Sequence, residues 1–121
     1  MGKPITLVVG ASTNPERYAF KATQMLEQKG HDIYLYGLKA GTINGHIIHQ
    51  NWPLKGTIDT VTLYVGPKGQ EAFYNELLQL APRRVIMNPG TENDLFKAML
   101  EKEGIECIEA CTLVMLSTGQ Y

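Results

Sequence analysis

The residues best suited to chemistry in this chain form one run near its start, Gly10-Ala11-Ser12-Thr13-Asn14-Pro15. Gly10 permits a tight exit from an apolar segment and close approach of a ligand to the backbone. Ser12 and Thr13 add hydroxyl donors, and Asn14-Pro15 opens a turn. The helix expected behind that turn presents free N–H groups and the positive end of its dipole. Together these make a phosphate or pyrophosphate site. Arg17 and Lys21, four residues apart on one helix face, add positive charge. The same residues also suit a plain turn in which Ser12 caps the helix.

Two dinucleotide and nucleotide signatures are missing. Gly10 fills the first place of G-x-G-x-x-G, but Ser12 and Pro15 stand at the other two. No acidic residue follows the second expected strand to hold a ribose hydroxyl; Tyr36-Gly37-Leu38-Lys39 stands there instead. No Gly-Lys-Ser/Thr follows the turn either, so a P-loop is not formed. Lys39 places a cation beside the same pocket and suits a phosphorylated adenosine, or else is a solvated loop lysine.

Other reactive side chains are sparse. His31 precedes the second strand at the far end of the sheet. His46 and His49 lie in an irregular link with Gly45, and their spacing is a poor metal site there; surface histidines are the plainer reading. Cys107 falls within an apolar strand and reads as packing. Cys111 interests us more as a thiol near the ligand loops, yet no neighbouring cation activates it. A disulfide between the two is not expected. Glu106 and Glu109 read as solvent-facing, Trp52 and Tyr64 as packing residues, and Tyr18 and Phe20, next to the first loop, as helix packing or else as side chains that shape the pocket.

The bulk numbers set the frame. One domain fits 121 residues, with 44% hydrophobic and 19% charged. A net charge of −1 argues against a nucleic-acid-binding face, which needs a basic surface, but leaves room for a small anionic ligand. No apolar run approaches membrane-spanning length. Met1-Gly2-Lys3-Pro4 carries no signal-peptide pattern, so a cytoplasmic location is expected.

The elements that must position the first loop follow from periodicity. Strands are expected at Ile5–Val9, Ile33–Tyr36, Thr60–Val65, Arg84–Met87 and Ile105–Ile108. A helix from about Arg17 to Lys29 turns Tyr18, Ala22, Met25 and Leu26 inward and ends at Gly30. A second, about Gln70 to Leu80, carries Phe73, Leu77 and Leu80 and is stopped by Pro82. A third, from an N-cap at Thr91 with Asp94 as a variant capping box, carries Leu95, Phe96, Met99 and Leu100 and ends at Gly104. The tail from Cys111 to Tyr121 suits a short last helix. The link from Ala40 to Gly56 is irregular, with Ile47 and Ile48 as a short extended piece. This alternation predicts an α/β, Rossmann-like, doubly wound five-stranded parallel sheet with helices on both faces and right-handed crossovers. Ligands then bind beyond the carboxyl ends of the strands, at the loops after Val9, Tyr36, Val65 and Met87.

At these residues the chain resembles the small stand-alone CoA-binding proteins, related to the N-terminal CoA-binding domain of the succinyl-CoA synthetase alpha subunit. The match runs through Val8-Val9-Gly10-Ala11-Ser12 and Asn14-Pro15-Glu16-Arg17, with Lys21 as the next basic residue. It continues with Lys39, the Gly45 segment, Asn88-Pro89-Gly90 and Ile108-Glu109-Ala110-Cys111. It departs at Gly37-Leu38, Tyr64-Val65-Gly66-Pro67, Met87-Asn88 and Ala110, all around the ligand loops. The resemblance implies binding of CoA or an acyl-CoA: diphosphate on Gly10 to Arg17, adenosine near Lys39 and the Val65-Gly66-Pro67 loop, pantetheine along Asn88-Pro89-Gly90. It implies no catalytic residue, because the synthetase's phosphorylated histidine belongs to a domain this chain lacks. Three functions are thus weighed: a non-catalytic CoA-binding module, an enzyme or regulator using NAD(P) or another nucleotide in the same cleft, and a degenerate member acting as a protein-interaction domain. The partner expected is a small nucleotide ligand, not nucleic acid or membrane; the residues are silent on oligomeric state.

Overall fold

A run of β-branched and leucine side chains between polar ends favours extended backbone buried on both faces. In the computed structural model, which describes residues 4–121, Ile5–Val9 forms such a strand, β1, with Leu7, Val8 and Val9 fully buried. The leader reading at Met1 to Lys3 lies outside the described residues. After β1 come α1 (Tyr18–Gln28), β2 (Asp32–Tyr36), β3 (Thr42–Ile43), β4 (His46–His49), β5 (Thr60–Leu63), α2 (Pro67–Gln70), a 3-10 turn (Glu71–Phe73), α3 (Tyr74–Leu80), β6 (Arg84–Met87), α4 (Asp94–Lys102), β7 (Glu106–Glu109) and α5 (Thr112–Ser117).

The sheet has seven strands in the order β3-β4-β2-β1-β5-β6-β7. It is Rossmann-like and mostly parallel, but not the five-stranded parallel sheet expected. The link after β2 supplies the two extra strands: β4 pairs parallel with β2, and β3 folds back antiparallel on β4. The reversal is an Asn44-Gly45 turn with positive φ at both residues (49° and 84°), the conformation a two-residue hairpin demands.

Alternation along the strands divides the core between two faces. Leu7, Val9, Val61, Leu63, Val85 and Met87 pack under Leu77 of α3 and Phe96 and Leu100 of α4. Val8 and Leu35 pack under Ala19 and Leu26 of α1 and Leu116 of α5. Helices therefore cover both faces.

Several local expectations are corrected. Tyr18 and Leu95 are 67% and 66% exposed, not inward; each sits in the first turn of its helix, beyond the edge of the buried stripe. The helix expected over Gln70 to Leu80 is broken by the 3-10 turn and starts earlier, at Pro67, which suits a first helical position. Thr91 does not cap α4. Its hydroxyl donates to Asn88 O (2.8 Å), and Asn93 is the cap, its Oδ1 accepting from Phe96 N (3.1 Å).

One buried amide ties β6 to its surroundings. Asn88 Nδ2 donates to Thr62 Oγ1 (2.8 Å) and Leu63 O (2.9 Å), while its Oδ1 accepts from Thr112 N (2.9 Å). A second polar seam lies on the α1 and α5 face, where Tyr121 hydrogen-bonds Thr6 through its hydroxyl and lies beneath the Arg84 guanidinium.

The cysteines are both free, Cys107 buried in β7 and Cys111 half-buried. Burial pushes the Cys107 thiol up to about 11 from its ordinary 9.0. The unfolded thiol thus loses its proton first as pH rises, so this contribution to stability is full below the ordinary value and declines between there and about 11. Urea unfolding across that range should show falling stability, with a shallower fall in Cys107→Ala; an equal slope in the variant would contradict the assignment. Asn88→Ala strands several buried partners, each at roughly 1–3 kcal/mol. An overall loss of about 3 kcal/mol is expected in the same measurement, and a loss within the noise would mean that water replaces the amide.

Candidate functional site

β1 ends at the switch point of the sheet, where the chain leads to β2 on one side and β5 lies on the other. Gly10 takes a positive φ of 94°, and a Cβ there would stand 3.0 Å from Tyr64 O. The amides of Gly10 and Ala11 both donate to Tyr36 O (2.9 Å each), which turns the chain across the end of β2. Gly37 permits this crossing, since a Cβ on it would meet Ala11 O at 2.5 Å. Glycine after β2 is one of the departures from the family pattern, and here it gives the first loop its close support.

Beyond Ala11 the turn stitches itself together. Asn14 N donates to Ser12 Oγ (3.1 Å), Glu16 N to Asn14 Oδ1 (3.0 Å) and Arg17 N to Asn14 O (3.0 Å). Ser12 therefore braces the turn and does not cap the helix. Arg17 occupies the N-cap of α1 with no side-chain cap bond, and the first turn contains no acidic residue. No acidic residue of the first turn compensates the positive end of the helix dipole, and Glu16 stands just before the N-cap.

A cleft of about 430 Å³ opens above this point, within the range of small-molecule sites. Its lining comes from four successive strand ends: Leu38, Lys39 and Ala40 after β2; Gly10, Ala11, Ser12, Thr13, Arg17, Tyr18 and Ala19 after β1; Tyr64 and Val65 after β5; Pro89 after β6. Among the described residues Arg17 and Lys39 are its charged groups, and no carboxylate lines it. Tyr64 is mostly buried, and burial pushes its phenol up to about 12 against the opposing effect of hydrogen bonding with the Thr62 and Thr112 hydroxyls. It is a neutral wall at physiological pH.

The expected residues divide. Gly10, Ala11, Ser12, Thr13, Arg17, Lys39, Val65 and Pro89 converge on the cleft. Asn14 is exposed on the outside of the turn. Gly66 and Pro67 start α2, Asn88 is buried with its amide engaged, and Gly90 donates its N–H to Glu92 Oε1 (2.8 Å). Lys21 is one turn away, in a groove between α1 and α5, with its Nζ 5.3 Å from the Tyr18 ring centroid.

Tyr18, one of the two aromatics that could shape the pocket, lines it and Phe20 does not, while Ala19, Leu38, Ala40 and Tyr64 are lining residues that the sequence did not single out as a site. Only their position next to strand ends could have signalled them. Leu38, 89% exposed, carries no periodic or motif signal at all. The histidines are apart from the cleft: His31 stacks on Tyr121, His49 on Tyr34, and His46 Nε2 lies 2.8 Å from Glu27 Oε2. Trp52 packs between Tyr36 and Phe73.

The whole architecture recurs in solved structures. The crystal structure of an uncharacterized protein is 42% identical, with complete coverage of both chains and a TM-score of 0.94. A conserved hypothetical protein from Pyrococcus furiosus is 26% identical over 93% of this chain and 98% of its own, with a TM-score of 0.80. A Thermus thermophilus protein shares the fold at 20% identity, 98% and 91% coverage and a TM-score of 0.86. Among curated proteins none matches. The CoA binding domain family model matches residues 5–117, from the first residue of β1 to the last of α5, and the chain belongs to that family.

Proposed function

We propose that this protein binds CoA or an acyl-CoA in the cleft above β1 and performs no covalent chemistry on it. The observation that carries the reading is the uncapped start of α1, flanked by Arg17 and Lys39 on a wall without carboxylates. Backbone amides, a helix dipole and two cations are the elements of a diphosphate site. The order of the strand ends supports a direction for the ligand. Lys39 stands on the β2 side of the phosphate loop, and Val65 and Pro89 stand on the β5 and β6 side. The phosphorylated adenosine belongs at the cationic end, with Leu38 and Tyr18 beside it, and the pantetheine arm belongs along the apolar end, which moves the Val65 loop from the adenosine, where the resemblance put it, to the arm.

The absence of a second reactive group in the lining supports a binding role. The lining offers hydroxyls, two cations and a phenol that holds its proton. Proton transfer at neutral pH needs a group poised near that pH.

A thermal-shift panel with CoA, acetyl-CoA, NAD and NADP tests the reading. A ligand at roughly 100 times its Kd stabilises the folded state by about 2.7 kcal/mol, a rise of several degrees in Tm for a domain of this size. A rise with CoA species alone is expected; a rise with NAD or NADP alone would overturn the reading, and no rise with any of them would favour a protein-interaction role. Arg17→Ala and Lys39→Ala should each weaken CoA about tenfold or more, the worth of a charge-assisted hydrogen bond at roughly 1.5–3 kcal/mol. Titration calorimetry measures this, and wild-type affinity in either variant removes that residue from the site.

A further inference from the structure

Gln70 is 0% exposed, the largest polar side chain among the fully buried residues. It sits at the end of α2, outside the cleft lining. Its Nε2 donates to Val65 O and to Thr91 O, both at 2.8 Å, and its Oε1 accepts from Asn93 Nδ2 (3.0 Å). Three hydrogen bonds thus join the loop after β5 to the loop after β6. Val65 is itself a cleft wall, and Pro89 of the other wall lies two residues before Thr91.

The bracket is closed at its other end by Asn88. Thr91 N and Thr91 Oγ1 both reach Asn88 O (2.9 and 2.8 Å), and the Asn88 amide is held by β5 and α5. Pro89-Gly90 therefore spans two points that are each fixed by a buried amide. Asn93, the third member, also donates to Tyr74 Oη (2.8 Å) and caps α4. A core residue that only filled space here would be apolar, because burying an amide gains nothing unless its partners need it. The Nε2 partners of Gln70 are backbone carbonyls of the two loops and its Oε1 partner is the Asn93 amide, so its hydrogen bonds hold those loops at one separation.

We infer that Gln70 is a positioning residue that sets the spacing between the Val65 and Pro89 walls and thereby the affinity for the arm of CoA that lies between them. The inference rests on the CoA reading above. It separates the two halves of the ligand: Lys39 follows β2 and the phosphate loop crosses the end of β2, whereas the bracket joins the loops after β5 and β6 and touches the phosphate loop through Val65 beside Gly10, so a change at Gln70 falls mainly on the arm.

Gln70→Met keeps the length of the side chain and removes every donor. The test is calorimetric titration of wild type and variant with two probes, CoA and its nucleotide half lacking pantetheine (ADP carrying the ribose phosphate). CoA should bind about tenfold more weakly to the variant, about 1.4 kcal/mol, while the nucleotide half keeps its affinity within about twofold, since a preorganised wall is lost mainly on the arm side. Unchanged CoA affinity in Gln70→Met overturns the inference, as does an equal loss for both probes, which would report a general collapse of the cleft. Gln70→Glu is the second variant; it keeps the shape and the acceptor for Asn93, and at neutral pH sets a carboxylate against two carbonyls. It should show the same split between probes. If neither variant folds, as read by cooperative thermal unfolding, Gln70 is a fold residue and the inference fails. Wild-type protein that binds neither probe defeats the CoA reading and this inference with it, whereas wild-type binding with an unaltered variant defeats this inference alone.

Discussion

Two successive amides, those of Gly10 and Ala11, donate to one carbonyl, that of Tyr36. This shared acceptor is the constraint on which the rest of the site depends. It forces the chain leaving β1 to cross the end of β2 before it can start α1. The crossing is close enough that residue 37 has no room for a Cβ beside Ala11 O. Once the chain is held there, the start of α1 has to sit above the switch point, and its uncapped first turn faces the space between the diverging strand ends. The cleft is therefore a consequence of how β1 is left behind. The catalogue of polar residues around it follows from that geometry.

The sheet explains why so much was legible beforehand. The central strands are buried on both faces, so their sequences read as short runs rich in apolar and β-branched residues, and Arg84–Met87 matched its strand to the residue. The misreadings have local causes. The Asn44-Gly45 turn was present as a hairpin signal, but its strands have only two and four residues, too short for alternation to declare itself. The Thr91 cap failed because its hydroxyl was already committed to Asn88 O, a tertiary bond that no spacing rule contains. Tyr18 and Leu95 failed because periodicity describes the middle of a helix, whereas a first-turn residue can lie past the edge of the body it packs on.

The candidate site was legible in one half. The residues of the first loop and Lys39 follow from glycine, charge and the general rule for parallel sheets. On the opposite side the sequence pointed to Asn88-Pro89-Gly90 as contact residues, and only Pro89 reaches the cleft. The polar side chains there, Asn88 and Gln70, face into the protein. A buried amide and a ligand-binding amide are the same letter in a sequence; only the position of its partners tells them apart. In both cases the partners are backbone, hydroxyl or amide groups of neighbouring segments of the protein.

The two sides of the cleft are consequently held by different contacts. The β2 side is kept in place by close backbone contact, Gly37 against Ala11, together with the two backbone hydrogen bonds to Tyr36 O. The β5 and β6 side is kept in place by the buried side-chain amides of Gln70 and Asn88, whose hydrogen bonds are directional. A ligand whose charged half must be gripped at fixed distances is served by the first arrangement, because the interaction of a phosphate with amides and cations falls away steeply with misalignment. A less polar, flexible extension is served by the second, because apolar contact tolerates small shifts so long as water is excluded. Under the proposed CoA reading, each wall would meet the half of the ligand whose chemistry suits how that wall is held. Substitutions on the two walls should therefore differ in kind: on the β2 side they change whether the nucleotide is held, and on the β5 and β6 side they change how much its extension adds.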